Sequence, residues 1–413
     1  MFTRLMEKTL QKFANFSVIA LLGPRQSGKT TLAKKAYPNH AFVSLENPLL
    51  REFATKEPAQ FLESYANKNG LIIDEFQYVP QILSYIQLDV DAKKRKSFFI
   101  LTGSQNFLVN QAITQSLAGR VGILNLQPLS LAELTQNGLL PKTPAETVFN
   151  GFYPRLYNEQ FTPEQLYPSY IQTYIERDVR QIINVGDLGT FQKFLQLCAS
   201  RIGNLLNLSD LAMVCGISVS TARRWLSLLE ASYIIFLLEP YFNNFSKRLT
   251  KMPKIYFYDT GLACSLLRIN SAETLALHPF WGSLFECCII ADIAKQYFNQ
   301  GSRPPFYFWR DKNGRLEVDC LIDEAGILFP LEIKASERIS SDFFTGLSEW
   351  NKLAFGENPS KDPAAHSYLL YAGNEKQVRA QAKVVPWQDI GNLVENIAKN
   401  LKTKPNTPSH KAI

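Results

Sequence analysis

Gly23-Pro24-Arg25-Gln26-Ser27-Gly28-Lys29-Thr30 decides the reading of this chain. It satisfies G-x-x-x-x-G-K-[ST], the phosphate-binding P-loop, at every constrained position. The apolar run Val18-Ile19-Ala20-Leu21-Leu22 before it reads as a buried strand. Thr31-Leu32-Ala33-Lys34-Lys35-Ala36 after it reads as a helix start. A triphosphate is a dense anion that backbone N–H groups must approach closely. A Cβ would obstruct the approach, and Gly23 and Gly28 remove that obstacle. The helix opening near Lys29 turns unpaired N–H groups and its positive dipole end toward the phosphates. Lys29 is expected to reach the β- and γ-phosphates and Thr30 to offer its hydroxyl to Mg²⁺, with Pro24, Arg25, Gln26, Ser27 and Thr31 completing the cradle. The expected ligand is ATP with Mg²⁺.

Leu71-Ile72-Ile73-Asp74-Glu75 is an apolar strand ending in two carboxylates, the Walker B pattern. Asp74 is expected to hold the Mg²⁺ shell, directly or through water, and Glu75 to orient or deprotonate the attacking water. Phe98-Phe99-Ile100-Leu101-Thr102-Gly103-Ser104-Gln105 is a third such strand with a polar end. Thr102 and Ser104 are candidates to position water between the γ-phosphate and Glu75; the plain alternative is a strand-to-loop turn. Val43-Ser44-Leu45-Glu46 reads as a further strand.

Asp74-Glu75-Phe76-Gln77-Tyr78-Val79-Pro80, Leu101-Thr102-Gly103-Ser104-Gln105-Asn106 and Ser116-Leu117-Ala118-Gly119-Arg120-Val121 resemble the uncharacterised prokaryotic AAA-type ATPases, whose C-terminal half is a domain of unknown function. The stretch from Leu126 to Leu134 and Gly151-Phe152-Tyr153-Pro154 extend the resemblance over nearly the whole chain. It implies a P-loop core with an additional strand. Arg120 is a candidate to offset transition-state charge, within its own subunit or a neighbour's; a structural salt bridge is the alternative. Arg25 carries the same ambiguity.

The chain has 413 residues, 46% hydrophobic and 20% charged, which suits a globular protein of two or three domains. A net charge of +7 is compatible with nucleic acid and weak evidence for it. Part of the excess is local, in Lys93-Lys94-Arg95-Lys96 and in Lys399, Lys402, Lys404 and Lys411. The first run reads as a solvated helix end. Six cysteines form no C-x-x-C and suggest reduced, buried thiols in a cytosolic protein. The first apolar run is too short for a secretory core and is already the P-loop strand. Tyr233 to Leu238 is too short to span a bilayer. A cytoplasmic protein with no membrane partner is expected.

In the middle, Gly138-Leu139-Leu140-Pro141-Lys142-Thr143-Pro144 reads as a connector. Tyr167 to Val179 is helical by period, with Tyr170, Ile171, Tyr174, Ile175 and Val179 near one face. Leu208 to Leu229 has helix-turn-helix form. Ser209 caps a short helix, Gly216 makes the turn and Ser218 caps a second helix. Val219, Ala222, Leu226 and Leu229 make its inner face, and Tyr233 to Tyr241 supplies the hairpin of a winged helix. In a DNA reader Ser220, Thr221, Arg223 and Arg224 would face the major groove. A purely structural module beside the ATPase core is the alternative.

Further on, Trp281 to Ala294 reads as an amphipathic helix carrying Glu286. Phe306 to Arg310, Leu316 to Ile322 and Ile327 to Lys334 read as strands, and alternation puts Glu332 and Lys334 on one face. Asp319 followed by Glu332-x-Lys334 resembles the PD-(D/E)xK nucleases, and Glu286 matches the extra acid of that superfamily. In that chemistry Asp319 and Glu332, with Glu286, bind Mg²⁺, and Lys334 orients water or stabilises developing charge. An exposed polar edge on an α/β domain is the bland alternative. Phe343, Phe344, Leu347 and Trp350 are expected to pack a following helix, and Ser367 to Tyr371 a further strand.

The expected architecture is α/β. An AAA-type P-loop domain spans 1–135, with a helical, winged-helix-like region over 136–270. A restriction-endonuclease-like α/β domain spans 271–385, and a helix with a disordered basic tail covers 386–413. The expected function is Mg²⁺-dependent ATP hydrolysis regulating a DNA-binding or nuclease-like domain; the alternative is a non-cutting ATP-gated adaptor. DNA, a partner protein and a second copy of the chain are the candidate macromolecular partners.

Overall fold

The computed structural model describes residues 2–93, 95–104, 113, 116–159, 161–175, 188–242, 252–311, 313–355 and 366–402. Lys94, Gln105, Asn106, residues 176–179 and the tail beyond residue 402 lie outside the described residues.

The N-terminal sheet holds β1 (Val18–Gly23), β2 (Ala41–Ser44), β3 (Leu71–Asp74), β4 (Phe99–Ser104) and β5 (Val121–Asn125), in the order β2-β3-β4-β1-β5. All pairings are parallel. The strand β4 therefore stands between the P-loop strand and the Walker B strand, as the additional-strand expectation requires. Val18, Ala20 and Leu22 join one apolar core with the helices Pro58–Tyr65 and Ile82–Lys93. Ile19 and Leu21 join the opposite core with the helices Met6–Lys12 and Lys29–Ala36. Cover on both faces is why β1 is an unbroken apolar run rather than an alternating one.

The middle region is helical. The helices Leu208–Cys215 and Val219–Ala231 meet at Gly216, whose φ of 68° ends the first helix in the left-handed conformation. Three details differ from expectation. Asn207, not Ser209, caps the first helix by accepting from the Ser209 and Asp210 N–H groups. Val219 is exposed, and Ala222, Trp225, Leu226, Leu228 and Leu229 form the buried face. The hairpin pairs β6 (Ile235–Leu238) with β7 (Lys254–Phe257) rather than closing within 233–241. The helix Pro163–Tyr170 continues as a wider π turn, Ile171–Ile175, so the expected regular helix to residue 179 loosens at Ile171.

The C-terminal sheet is mixed: β8 (Phe306–Arg310), β9 (Glu317–Glu324), β10 (Ile327–Lys334), β11 (Tyr368–Tyr371), β12 (Gln377–Val378) and β13 (Lys383–Pro386), ordered β12-β13-β11-β10-β9-β8. The helix Thr345–Phe355 packs on one face through Leu347 and Trp350. The helix Trp281–Asn299 lies within the other core. It is not amphipathic: residues 287–299 are all buried, Asp292, Lys295, Gln296 and Asn299 included. That core runs without a break from Leu129 through the middle helices into the C-terminal sheet.

Candidate functional site

The P-loop follows β1 and opens the helix Lys29–Ala36. Gly23 sits at φ 149°, where a Cβ would lie 2.1 Å from the Leu126 carbonyl oxygen; no other residue fits between β1 and the chain leaving β5. Gly28 caps the helix at φ 92°. Gln26, at φ 62°, is a non-glycine residue in left-handed backbone, a conformation that costs roughly 1–3 kcal/mol. Lys29 Nζ donates to the Pro24 carbonyl at 2.6 Å, and Ser27 Oγ donates to the same oxygen at 3.0 Å.

The carboxylates of β3 meet this loop. Thr30 Oγ1 donates to Asp74 Oδ1 at 2.7 Å, and Thr102 Oγ1 donates to the same oxygen. Ser44 Oγ lies 3.5 Å from Asp74 Oδ2. Thr30 and Asp74 thus stand as a hydroxyl–carboxylate pair, the donor set that hard Mg²⁺ favours. Glu75 follows at φ 53° and accepts from the Gln77 side-chain amide. The two candidates on β4 separate: Thr102 is bonded to Asp74, whereas Ser104, paired in register with Gly23, has a buried hydroxyl without a hydrogen-bond partner among the described residues.

A cavity of about 580 Å³ opens over the loop, lined by Gln26, Gly28, Lys29, Thr30, Thr31 and Glu75. Arg4, Lys35, Arg155 and Glu159 also line it. Arg4 and Arg155 escaped the sequence reading. Arg4 is buried and braces the loop: it donates to the Ser27 carbonyl at 2.8 Å and the Gln127 carbonyl at 2.7 Å, and pairs with Glu133 at 2.9 Å. Arg155 opens the short helix Pro154–Asn158, pairs with Glu159 at 2.9 Å and stacks 4.3 Å from Phe161. Neither carries a local signal, because each reaches the loop from a distant segment. Arg25 offers its carbonyl to the Tyr170 hydroxyl at 3.5 Å. Arg120 is not brought to the loop within one chain. It stands before β5, at the strand end opposite the P-loop and about 17 Å away along β1. There it pairs with Asp91, with Arg120 Nε 2.5 Å from Asp91 Oδ1.

The second set of predicted residues does converge. Asp319 Oδ2 accepts from the Ile333 N–H at 2.8 Å, just past the β9–β10 pair Cys320–Leu331. Lys334 Nζ lies 2.5 Å from Glu332 Oε1 and 4.0 Å from Asp319 Oδ2. Glu286 approaches from its helix and accepts from the Tyr256 hydroxyl. Burial first, and the neighbouring Asp319 second, push the Glu286 carboxyl up to about 7 and Glu332 up to about 8. Burial pulls Lys334 down, but Asp319 and Glu332 outweigh it and hold its ammonium above the ordinary range. Among the described residues no three His, Cys, Asp or Glu side chains gather as a metal cage. Asp319, Glu332 and Glu286, the residues of the expected Mg²⁺ set, are brought near one another, with the Lys334 ammonium paired to two of them.

The exposed face of the helix Val219–Ala231 carries Ser220, Arg223 and Arg224, with Thr221 half-buried. Val219 on the same helix and Met213 on the preceding one are exposed as well. All six cysteines are free and buried. Among the described residues no helix is long and apolar enough to cross a membrane.

Residues 15–135 match the family model of an AAA domain. Residues 142–273 match a domain of unknown function (DUF8612), and 281–390 another (DUF4143). The solved Walker-type ATPase PABY2304 of Pyrococcus abyssi is similar at 17% identity and a TM-score of 0.44, over 65% of this chain and 96% of that one. Uncharacterized protein Rv2008c of Mycobacterium tuberculosis and uncharacterized protein Mb2031c of Mycobacterium bovis are each 30% identical over 330 residues, 77% of this chain and 70% of theirs. With an AAA domain on a five-stranded parallel P-loop sheet and two domains of unknown function behind it, the chain belongs to the family of these mycobacterial proteins.

Proposed function

We propose that the chain hydrolyses ATP in the P-loop site and uses the cycle to control its C-terminal domain on DNA. The observation that carries this is the meeting of Lys29, Thr30 and Asp74 at one loop, with Glu75 beside them in the same cavity. Thr30 and Asp74 would hold Mg²⁺, which when bound offsets charge on the phosphate oxygens. Gly28 and the first turn of the helix Lys29–Ala36 present backbone N–H groups to the polyphosphate. Glu75 orients the attacking water and takes its proton, and Gln77 sets the Glu75 rotamer. Ser104 offers its buried hydroxyl beside Gly23, and Arg155 brings positive charge from the middle region.

Control of the C-terminal domain is supported by a buried polar route. Arg4 ties Ser27 of the loop to Glu133 on the helix Leu131–Gln136. The Leu131 N–H donates to Asp292 at 2.7 Å, and Lys295 donates to the Leu129 carbonyl at 3.1 Å. Asp292 and Lys295 lie on the same helix as Glu286. A shift of the loop is thereby handed to the element that carries an acid of the second site.

In the nuclease-like reading, Asp319, Glu332 and Lys334 act on a phosphodiester. In the non-cutting adaptor alternative, supported by the ion pairs that hold Lys334 on Glu332 and Asp319, the domain contacts DNA or a partner protein without cleaving. The decisive experiment incubates the protein with ATP, Mg²⁺ and DNA and measures phosphate release and strand breaks together. Release that vanishes in Lys29→Ala, with breaks that vanish in Asp319→Ala, supports an ATP-regulated nuclease. Release with intact but nucleotide-dependently retained DNA supports the adaptor. No release above the Lys29→Ala background overturns both.

A further inference from the structure

Lys254 belongs to the hairpin of the middle region, yet its charge is used by the C-terminal domain. It is 3% exposed. Its ammonium group is ion-paired with Glu317, lies 3.5 Å from Glu286 Oε1 and stands 5.5 Å from the Phe308 ring centre. Tyr256, two residues along β7 and on the same strand face, donates to the same Glu286 oxygen. Glu317 begins β9, two residues before Asp319. The hairpin thus grips the acid cluster at Glu286 and Glu317, while Lys334 grips it at Glu332 and Asp319. One acceptor is left over. Among the described residues, Glu332 Oε2 is buried without a hydrogen-bond partner, on a residue 7% exposed.

We infer that Lys254 is the resident counter-ion of this cluster, and that a divalent cation enters only when the hairpin withdraws it. The inference rests on reading the cluster as a cation site and adds its regulation. An ammonium ion and a divalent cation are drawn to the same carboxylates and repel each other at such range, so the two occupancies exclude one another. A hard cation needs several oxygens within about 2.0–2.6 Å. While Lys254 holds Glu286 and Glu317, the acids do not close into such a set. Because β6 follows directly from the helix that exposes Arg223 and Arg224, a partner gripping that helix pulls on the strand paired with Lys254.

The test measures Mn²⁺ uptake by electron paramagnetic resonance on the whole 413-residue, nucleotide-free Asp74→Asn protein, in which the P-loop loses the carboxylate that would hold the cation. Adding Lys254→Met should tighten Mn²⁺ binding by about tenfold or more, since one unit charge leaves the site. Adding Asp319→Asn should abolish that gain, and Lys254→Arg should remain at the parent level. Asp319-dependent binding that is equally tight with and without Lys254→Met overturns the gating and leaves the cation site standing. No Asp319-dependent binding in any variant removes the cation-site reading itself. Should Lys254→Met fold poorly, its melting temperature must rise more with Mn²⁺ than the parent's does; an equal rise overturns the inference.

Discussion

The nucleotide loop and the C-terminal cluster are both made of lysine and carboxylates, and they satisfy those charges in opposite ways. At the loop, Asp74 is bonded by the hydroxyls of Thr30 and Thr102, while Lys29 leans on a backbone carbonyl. In the cluster, Lys334 and Lys254 are ion-paired directly with the acids. The acid of the loop is held by neutral hydroxyls and stays open to a ligand, whereas the acids of the cluster are held by ammonium groups.

The largest expected effect falls on the loop side. Glu75→Gln should lower ATP hydrolysis by about 10²–10⁴-fold while leaving nucleotide binding in place, measured by phosphate release and by nucleotide titration. If turnover survives nearly intact, Glu75 is not the base. Lys29→Ala should cost about 10²–10³-fold in turnover and weaken ATP binding as well, which separates it from Glu75→Gln. Asp292→Ala, far from the loop, should destabilise by about 1–3 kcal/mol, because the buried Leu131 N–H and the Gln296 amide lose their acceptor. Thermal denaturation reads this, and an unchanged midpoint would dissolve the route between the two sites. Ser104→Ala should lower turnover by only about tenfold, in line with one lost hydrogen bond. A wild-type rate would assign Ser104 to packing.

The smallest effect is a pH slope. Glu332 and Glu286 keep protons in the folded chain up to about 8 and 7, whereas in the unfolded chain they release them near 4.5. The folded state therefore binds more protons in that window, and stability falls as pH rises from about 5 to 8. Denaturant melts across this range should show the decline, and Glu332→Gln should flatten it. A slope of opposite sign would mean that the acids are ionised and satisfied in the fold.

What was legible in the sequence was contiguous. Gly23 to Thr30 and Asp74-Glu75 announce their chemistry because loop, strand and helix follow one another along the chain. Asp319, Glu332 and Lys334 were legible because strand alternation fixes their faces. Arg4, Arg155 and Lys254 were not, since each acts on residues far away in sequence. Arg120 shows a different limit. Its position is set by strand direction: in a parallel sheet the residue before β5 must lie at the end away from the P-loop. Val219 was placed inward by period alone, but Trp225 and Leu228 turn the buried face of that helix.

The unbroken core behind β5 carries a practical consequence. Apolar residues from Leu129 to Ile397 pack as one body, so the middle helices and the C-terminal sheet should melt as one cooperative unit. A chain cut near residue 270 would expose the underside of the helix Trp281–Asn299 on one fragment and the faces of Tyr256 and Phe257 on the other. Neither fragment would stay in solution alone, and the useful cut for crystallisation or expression lies ahead of Leu129.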